Sequence, residues 1–272
     1  MNKIFPSNIF QALLLLFIGL VTATPVIFIT QTYYSHLSAD ITGSIMFIVL
    51  CIAIICVAKV INSKRKVDIN YGFALPIKSP KFIALTVLII LIFQAGINAP
   101  FTNVLSFYLN GKSTFSNPFS QMPLFLGAIL LAPLFEELIF RGTILKGFLT
   151  KYTPAISIIL SGVLFCAIHI QPVQLFGALF FGILSGWIYY KTESLGLCIL
   201  LHFLSNFSSQ LISYTLFKTN LSGNILLPNI YGPYTFFVIG VSVLVLSYLI
   251  FKVAKNLTHS KSAKTTLLFI AD

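Results

Sequence analysis

Two adjacent acids inside an apolar run are the first residues of this chain that call for a chemical explanation. Glu136 and Glu137 lie between Leu124 and Gly142 in a stretch with no other acid. An ionised carboxylate at the centre of a bilayer costs roughly 2.5–3.5 kcal/mol or more. Glu137 and Arg141 are spaced i and i+4 with the acid N-terminal to the base, the favourable order for an ion pair on one helix face. Glu137 is therefore read as the structural partner of Arg141. Glu136 lies about 100° around the helix from Glu137 and has no base at i+3 or i+4, which leaves it to face a cavity. Pro133, just upstream, is expected to kink the helix and open the bundle there. Two histidines also fall in apolar surroundings: His169, shortly before Pro172, and His202, with Asn206 one turn further on the same face.

A carboxylate and two imidazoles suit hydrolysis by either of two routes. Glu136, His169 and His202 are suitable ligands for a divalent metal such as zinc, which can keep an open position for water. Alternatively, Glu136 and His169 activate the water directly as general base groups, without a metal. In either case His202 and Asn206 can donate hydrogen bonds to the oxyanion of a tetrahedral intermediate.

The elements that must position these side chains follow from composition. The 272 residues are 57% hydrophobic and 8% charged, with a mean hydropathy of +0.97, and no water-soluble core can hide that balance. Apolar runs near the roughly 20 residues of a membrane-spanning helix recur at 9–29, 43–61, 81–100, 122–150, 154–171, 173–190, 194–217 and 234–252. The expected fold is all-α, a polytopic transmembrane bundle of about eight helices. It forms a single membrane domain over residues 1–272, with the motif core near 122–217. Continuous runs such as Leu13 to Val21 argue against the alternating strands of a barrel. The first run is longer than the roughly 7–15-residue core of a secretory signal and is read as a span.

The net charge of +11 tracks topology rather than a nucleic-acid partner. Lys59, Lys64, Arg65, Lys66, Lys78 and Lys81 flank the second connection, Lys146 and Lys151 follow the fourth segment, Lys191 follows the sixth, and Lys252, Lys255, Lys261 and Lys264 follow the eighth. The other connections hold only Lys112 and Lys218. The positive-inside rule then places both termini in the cytoplasm, and a prokaryotic source would make the membrane the inner one. The partners expected are the bilayer and a peptide or protein substrate at or in it, with no nucleic acid.

Depth can be counted from the cytoplasmic ends expected at Thr150, Pro154 and Lys191. Glu136 is 14 residues in, His169 15, His202 11 and Asn206 15. At 1.5 Å per residue all four lie roughly 16–23 Å from that boundary. They can meet in one layer. The remaining polar residues read more plainly. Asp40, Asp68, Glu193 and Asp272 fall in connections or at the terminus, and His36 and His259 in or beside connections. Cys51, Cys56, Cys166 and Cys198 read as small buried hydrophobes without metal or redox spacing. An apolar setting blunts Cys166 as a nucleophile. Ala178, Gly182 and Gly186 make a small-residue face suited to close helix packing.

The order Glu136-Glu137-x-x-x-Arg141, Phe165-x-x-x-His169, His202-x-x-x-Asn206 resembles the three motifs of the intramembrane family of CAAX prenyl proteases and bacteriocin-processing enzymes, which also holds bacteriocin-immunity proteins. Every motif position is matched within about 122–217. The resemblance implies that Glu136 and His169 activate water and that His202 and Asn206 stabilise the oxyanion, with Glu137 and Arg141 in support and Phe165 packing. It implies hydrolysis of a membrane-associated or lipidated protein or peptide. A metal-dependent mechanism and a metal-free glutamate mechanism both stay open. Two other functions share these features: a non-catalytic immunity or assembly protein that uses the polar residues as interhelical glue, and an ion-coupled transporter, for which repeated halves are missing.

Overall fold

The computed structural model describes residues 4–34, 39–68, 71–73, 80–110, 117–221 and 230–268, and among them every regular element is helical. Eight helical segments follow in order: α1 (Ile9–Tyr33), α2 (Ala39–Lys64), α3 (Pro80–Phe93 with its continuations Gln94–Asn98 and Ala99–Asn110), α4 (Pro118–Phe148), α5 (Pro154–Ala167), α6 (Pro172–Thr192), α7 (Leu195–Leu221) and α8 (Thr235–Leu268). All but α5 contain a stretch long and apolar enough to cross a membrane. Large apolar side chains such as Phe10, Phe17, Phe28, Phe236, Leu244 and Phe251 are exposed. Such surface has lipid as its natural solvent. The chain is an integral, multi-pass membrane protein.

His36, Lys78, Lys112 and Asp272 fall outside the described residues, as do the side chains of Asp40, His259, Lys261 and Lys264. Because α2 begins at Ala39 and α8 runs to Leu268, Asp40 and His259 are helical rather than in or beside connections.

The sequence places the end of α5 near residue 171, but the helix stops at Ala167. The reason is local. Pro172 disfavours helical backbone in the residue before it, and Gln171 is extended at φ −80°, ψ 120°. At 14 residues and 1.5 Å each, α5 is about 21 Å long. His169 therefore sits in the link between α5 and α6.

The chain folds as two compact units, Met1–Leu75 with Phe119–Phe203, and Pro76–Pro118 with Leu204–Asp272. In the first, α1 packs on α2 and α5 on α6. A Cβ at Gly182 would lie 3.0 Å from the Cα of Gly162, so the small-residue face of α6 does bring two backbones together. One end of this unit is tied by specific contacts. The Asn62 side chain exchanges hydrogen bonds with Phe5, accepting from its N–H and donating to its carbonyl, both at 2.8 Å. The Pro6 carbonyl occupies the space a side chain at Gly147 would need. Leu195 N–H donates to the Gly72 carbonyl at 2.9 Å. At Gly72, φ is +53° and a Cβ would stand 2.6 Å from the Glu193 carbonyl oxygen, so glycine is required twice over. The N-terminal segment thus shares one end with the α2 and α4 ends and the α6–α7 turn, the last three being basic connections in the sequence.

In the second unit α3 packs on α8. Gln94 Nε2 donates to Ser205 Oγ at 2.7 Å, and the Tyr231 hydroxyl donates to the Ala95 carbonyl at 2.7 Å. The turn Gln94–Asn98 is a π-helical turn placed just before Pro100, and Gly127–Leu131 is one placed just before Pro133. Proline has no N–H to continue an α-helical ladder. In each case the ladder is carried on by a wider turn, Ala99 N–H returning to the Gln94 carbonyl and Ala132 N–H to that of Gly127.

Candidate active site

α4 carries Glu136 and Glu137 on the regular stretch Ala132–Ile139, between the π turn at Gly127–Leu131 and a second at Phe140–Leu145. Wide turns of this kind are frequent at functional sites. Thr143 Oγ donates to the Leu138 carbonyl, five residues back, at 3.0 Å within the second one.

Glu137 is fully buried, and three side chains compensate its carboxylate. Arg141 Nη1 lies 3.0 Å from Oε1, as the spacing foretold. His202 Nδ1 lies 2.8 Å from the same oxygen, and Ser185 Oγ donates to Oε2 at 3.0 Å. Arg141, likewise fully buried, stands with its guanidinium 4.6 Å from the ring centre of Phe165 and 5.7 Å from that of Phe181, and its Nη2 donates to the Gly182 carbonyl at 3.2 Å. A planar cation between aromatic faces keeps an attractive environment without water. The acid and the base cancel in charge. Removing Glu137 would leave the guanidinium buried without a counter-charge, and removing Arg141 would leave the carboxylate with only His202 and Ser185.

Glu136 is differently placed. It is 8% exposed, and its Oε2 accepts no hydrogen bond among the described residues. Nε2 of His202 is 3.8 Å away from that oxygen. His202 thus stands between the two carboxylates. A carboxylate oxygen only accepts, so Nδ1 carries a proton toward Glu137 and Nε2 is turned to Glu136.

His169 is held by the end of α5. The last carbonyls of a helix lack backbone donors. His169 N–H bonds the Cys166 carbonyl at 3.0 Å, and the imidazole Nδ1 lies 2.9 Å from the Phe165 carbonyl. A carbonyl accepts, so Nδ1 is the protonated nitrogen and Nε2 presents a lone pair. The ring is half-buried and within electrostatic reach of Glu136.

Phe165 organises the group. Its ring centre is 4.9 Å from that of His169, 5.6 Å from His202, 5.3 Å from Phe140 and 6.0 Å from Phe181. It packs, as the sequence suggests, and in packing it sets both imidazoles and the guanidinium around one ring. Asn206 follows His202 by one turn on α7, is half-buried and belongs to the second unit. The thiol of Cys166 donates to the Leu175 carbonyl at 3.2 Å. Sequence reasoning missed Ser185 and the Gly182 carbonyl. A hydroxyl one residue from Gly186, on a helix with a small-residue face, was the available signal.

Among the described residues no three His, Cys, Asp or Glu side chains are arranged to hold a metal ion.

No curated protein matches the chain, and no solved structure does. A protein-family model does match, that of the type II CAAX prenyl endopeptidase Rce1-like family, over residues 118–208. The matched stretch runs from the start of α4 into α7 and holds Glu136, Glu137, Arg141, Phe165, His169, His202 and Asn206. Residues 118–208 thus match the Rce1-like type II CAAX prenyl endopeptidase family, the one that the three motifs resemble.

Proposed function

We propose that this protein is an intramembrane endopeptidase that hydrolyses a peptide bond of a membrane-associated or lipidated protein or peptide. The observation that carries the reading is the contrast between two neighbouring acids: Glu137 satisfied by three side chains, and Glu136 buried with one oxygen unpartnered beside two histidines. A structural bundle has no need of the second acid, since each buried unpaired oxygen is a cost.

In the reaction, water stands between Glu136 and His169. Glu136 takes its proton, with the Nε2 lone pair of His169 as the second acceptor, and the hydroxide adds to the scissile carbonyl. His202 donates to the resulting oxyanion, and the motif resemblance assigns Asn206 as the second donor. Donation from His202 Nε2 calls for a ring protonated on both nitrogens. Collapse of the tetrahedral intermediate breaks the C–N bond, and Glu136 passes its proton to the departing amine. No step passes through a metal ion. Glu137, Arg141, Ser185 and Phe165 position His202 and His169. Both termini lie on the cytoplasmic side, as the distribution of lysines and arginines indicates. Cleavage of a short membrane-anchored peptide by the purified protein in liposomes tests the reading. Loss in both Glu136→Gln and His169→Ala supports it. Full growth-related activity of both variants in the cell, with no cleavage by the parent, would instead indicate a binding protein.

A further inference from the structure

A cavity of about 550 Å³ opens where α2 ends, lined among others by Lys59, Asn62, Ser63, Lys66, Asp68 and Tyr71. All belong to the first unit. The plain account of its lysines is that they cap the α2 carbonyls and fix topology. The hydrogen bonds argue for more. Near its end α2 is closed by its own backbone, Arg65 N–H bonding the Ile61 carbonyl, Lys66 N–H that of Ser63 and Val67 N–H that of Asn62, at 2.9–3.1 Å. The Ala58 carbonyl receives the Asn62 side chain at 2.8 Å. Asn62 has no capacity left, since it also holds Phe5, and Arg65 stands over the Phe5 ring at 5.3 Å.

Lys59, whose ammonium stands 5.8 Å from the Tyr71 ring centre, Lys66, the Ser63 hydroxyl and the Tyr71 hydroxyl face the cavity without a hydrogen-bond acceptor among the described residues. The first three residues are exposed. Tyr71 Oη is buried and has no hydrogen-bond partner among the described residues. Its ring fills the space beside Gly142, where a Cβ would come within 2.7 Å of it, so the tyrosine is held in place by α4. Asp68 is the one acid in the cavity wall, and Lys146 is within electrostatic reach of it. Two ammonium groups and two hydroxyls lining one cavity are complementary in charge and hydrogen bonding to a tetrahedral dianion. The membrane-spanning stretch of α2 ends at Lys64, which sets the cavity at the level of lipid headgroups.

We propose that this cavity binds a phosphate group, with Lys59 and Lys66 supplying charge and Ser63 and Tyr71 hydrogen bonds. The proposal does not depend on the protease reading. Full-length protein in uncharged detergent is titrated with short-chain phosphatidic acid, short-chain phosphatidylcholine and inorganic phosphate, and bound ligand is measured by calorimetry. Phosphatidic acid is expected to bind saturably, about 30-fold more weakly to the Lys59→Ala/Lys66→Ala double variant. Tyr71→Phe, which keeps the ring against Gly142, should weaken binding severalfold. Preference for phosphatidic acid over inorganic phosphate assigns the site to a lipid headgroup, and equal affinity assigns it to free phosphate. Equal binding by the parent and the double variant, or no saturable binding by the parent, overturns the proposal. The unliganded thermal midpoint confirms that both variants fold.

Discussion

Glu137 Oε1 lies 2.8 Å from His202 Nδ1 and 3.0 Å from Arg141 Nη1, so one carboxylate oxygen on α4 serves both its own helix and α7. The acid first read as a partner for Arg141 alone is thereby the residue that orients an imidazole. Glu137→Gln should disable catalysis through His202 and also strand the buried guanidinium. Breaking a buried pair by removing one partner costs roughly 3–5 kcal/mol. Denaturant unfolding in detergent should show that loss in Glu137→Gln. The double variant Glu137→Gln/Arg141→Met, with no charge left behind, should recover part of it without recovering activity. Equal stability of the parent and Glu137→Gln would contradict the pairing.

Ser185 donates to the other oxygen of the same carboxylate. A hydrogen bond to a charged group contributes roughly 1.5–3 kcal/mol. Ser185→Ala should therefore lower kcat several-fold or more at nearly constant KM, because Ser185 positions the site without facing substrate. A change confined to KM would point to a different role.

Gly182 tests the packing of α5 on α6. A Cβ there would stand 3.0 Å from Gly162 Cα and 3.1 Å from its carbonyl oxygen. Backbone cannot yield as a side chain can, and overpacking costs roughly 1–3 kcal/mol. Gly182→Ala should lower the thermal midpoint in detergent and reduce activity as the Gly182 carbonyl moves from Arg141. Gly127→Ala, where nothing lies within 4 Å, should be close to neutral.

Chelation separates the two hydrolytic routes that the residue types allow. With Glu136 and His169 as the water-activating pair, cleavage should persist in excess chelator. Active protein should then carry far less than one equivalent of metal by elemental analysis. Loss of activity in chelator, restored by zinc, would contradict the metal-free assignment.

Much of this arrangement was legible because the signals were local to one helix. The spans follow from apolar length and Glu137–Arg141 from i and i+4, and the residue counts that set Glu136, His169, His202 and Asn206 at one depth anticipate the approach of His202 to Glu136. What escaped was set between helices or by backbone detail. No periodicity says that Ser185 of α6 and His202 of α7 converge on one carboxylate. Pro172 announces the end of α5 but not the four-residue retreat from 171 to Ala167 that frees His169 to take the Phe165 carbonyl. The π turns before Pro100 and Pro133 replace a missing donor by a change of pitch that apolar patterns do not register.

The central claim is that Glu136 takes the proton from the attacking water. Its most direct test is the cleavage rate of purified Glu136→Gln against the parent, in liposomes, on the same membrane-anchored peptide. The amide keeps size and polarity but cannot act as the base. Losing a general base slows a reaction by about 10²–10⁴-fold, and a loss of that size with an unchanged thermal midpoint is the predicted result. A rate within a few-fold of the parent would contradict the assignment of Glu136.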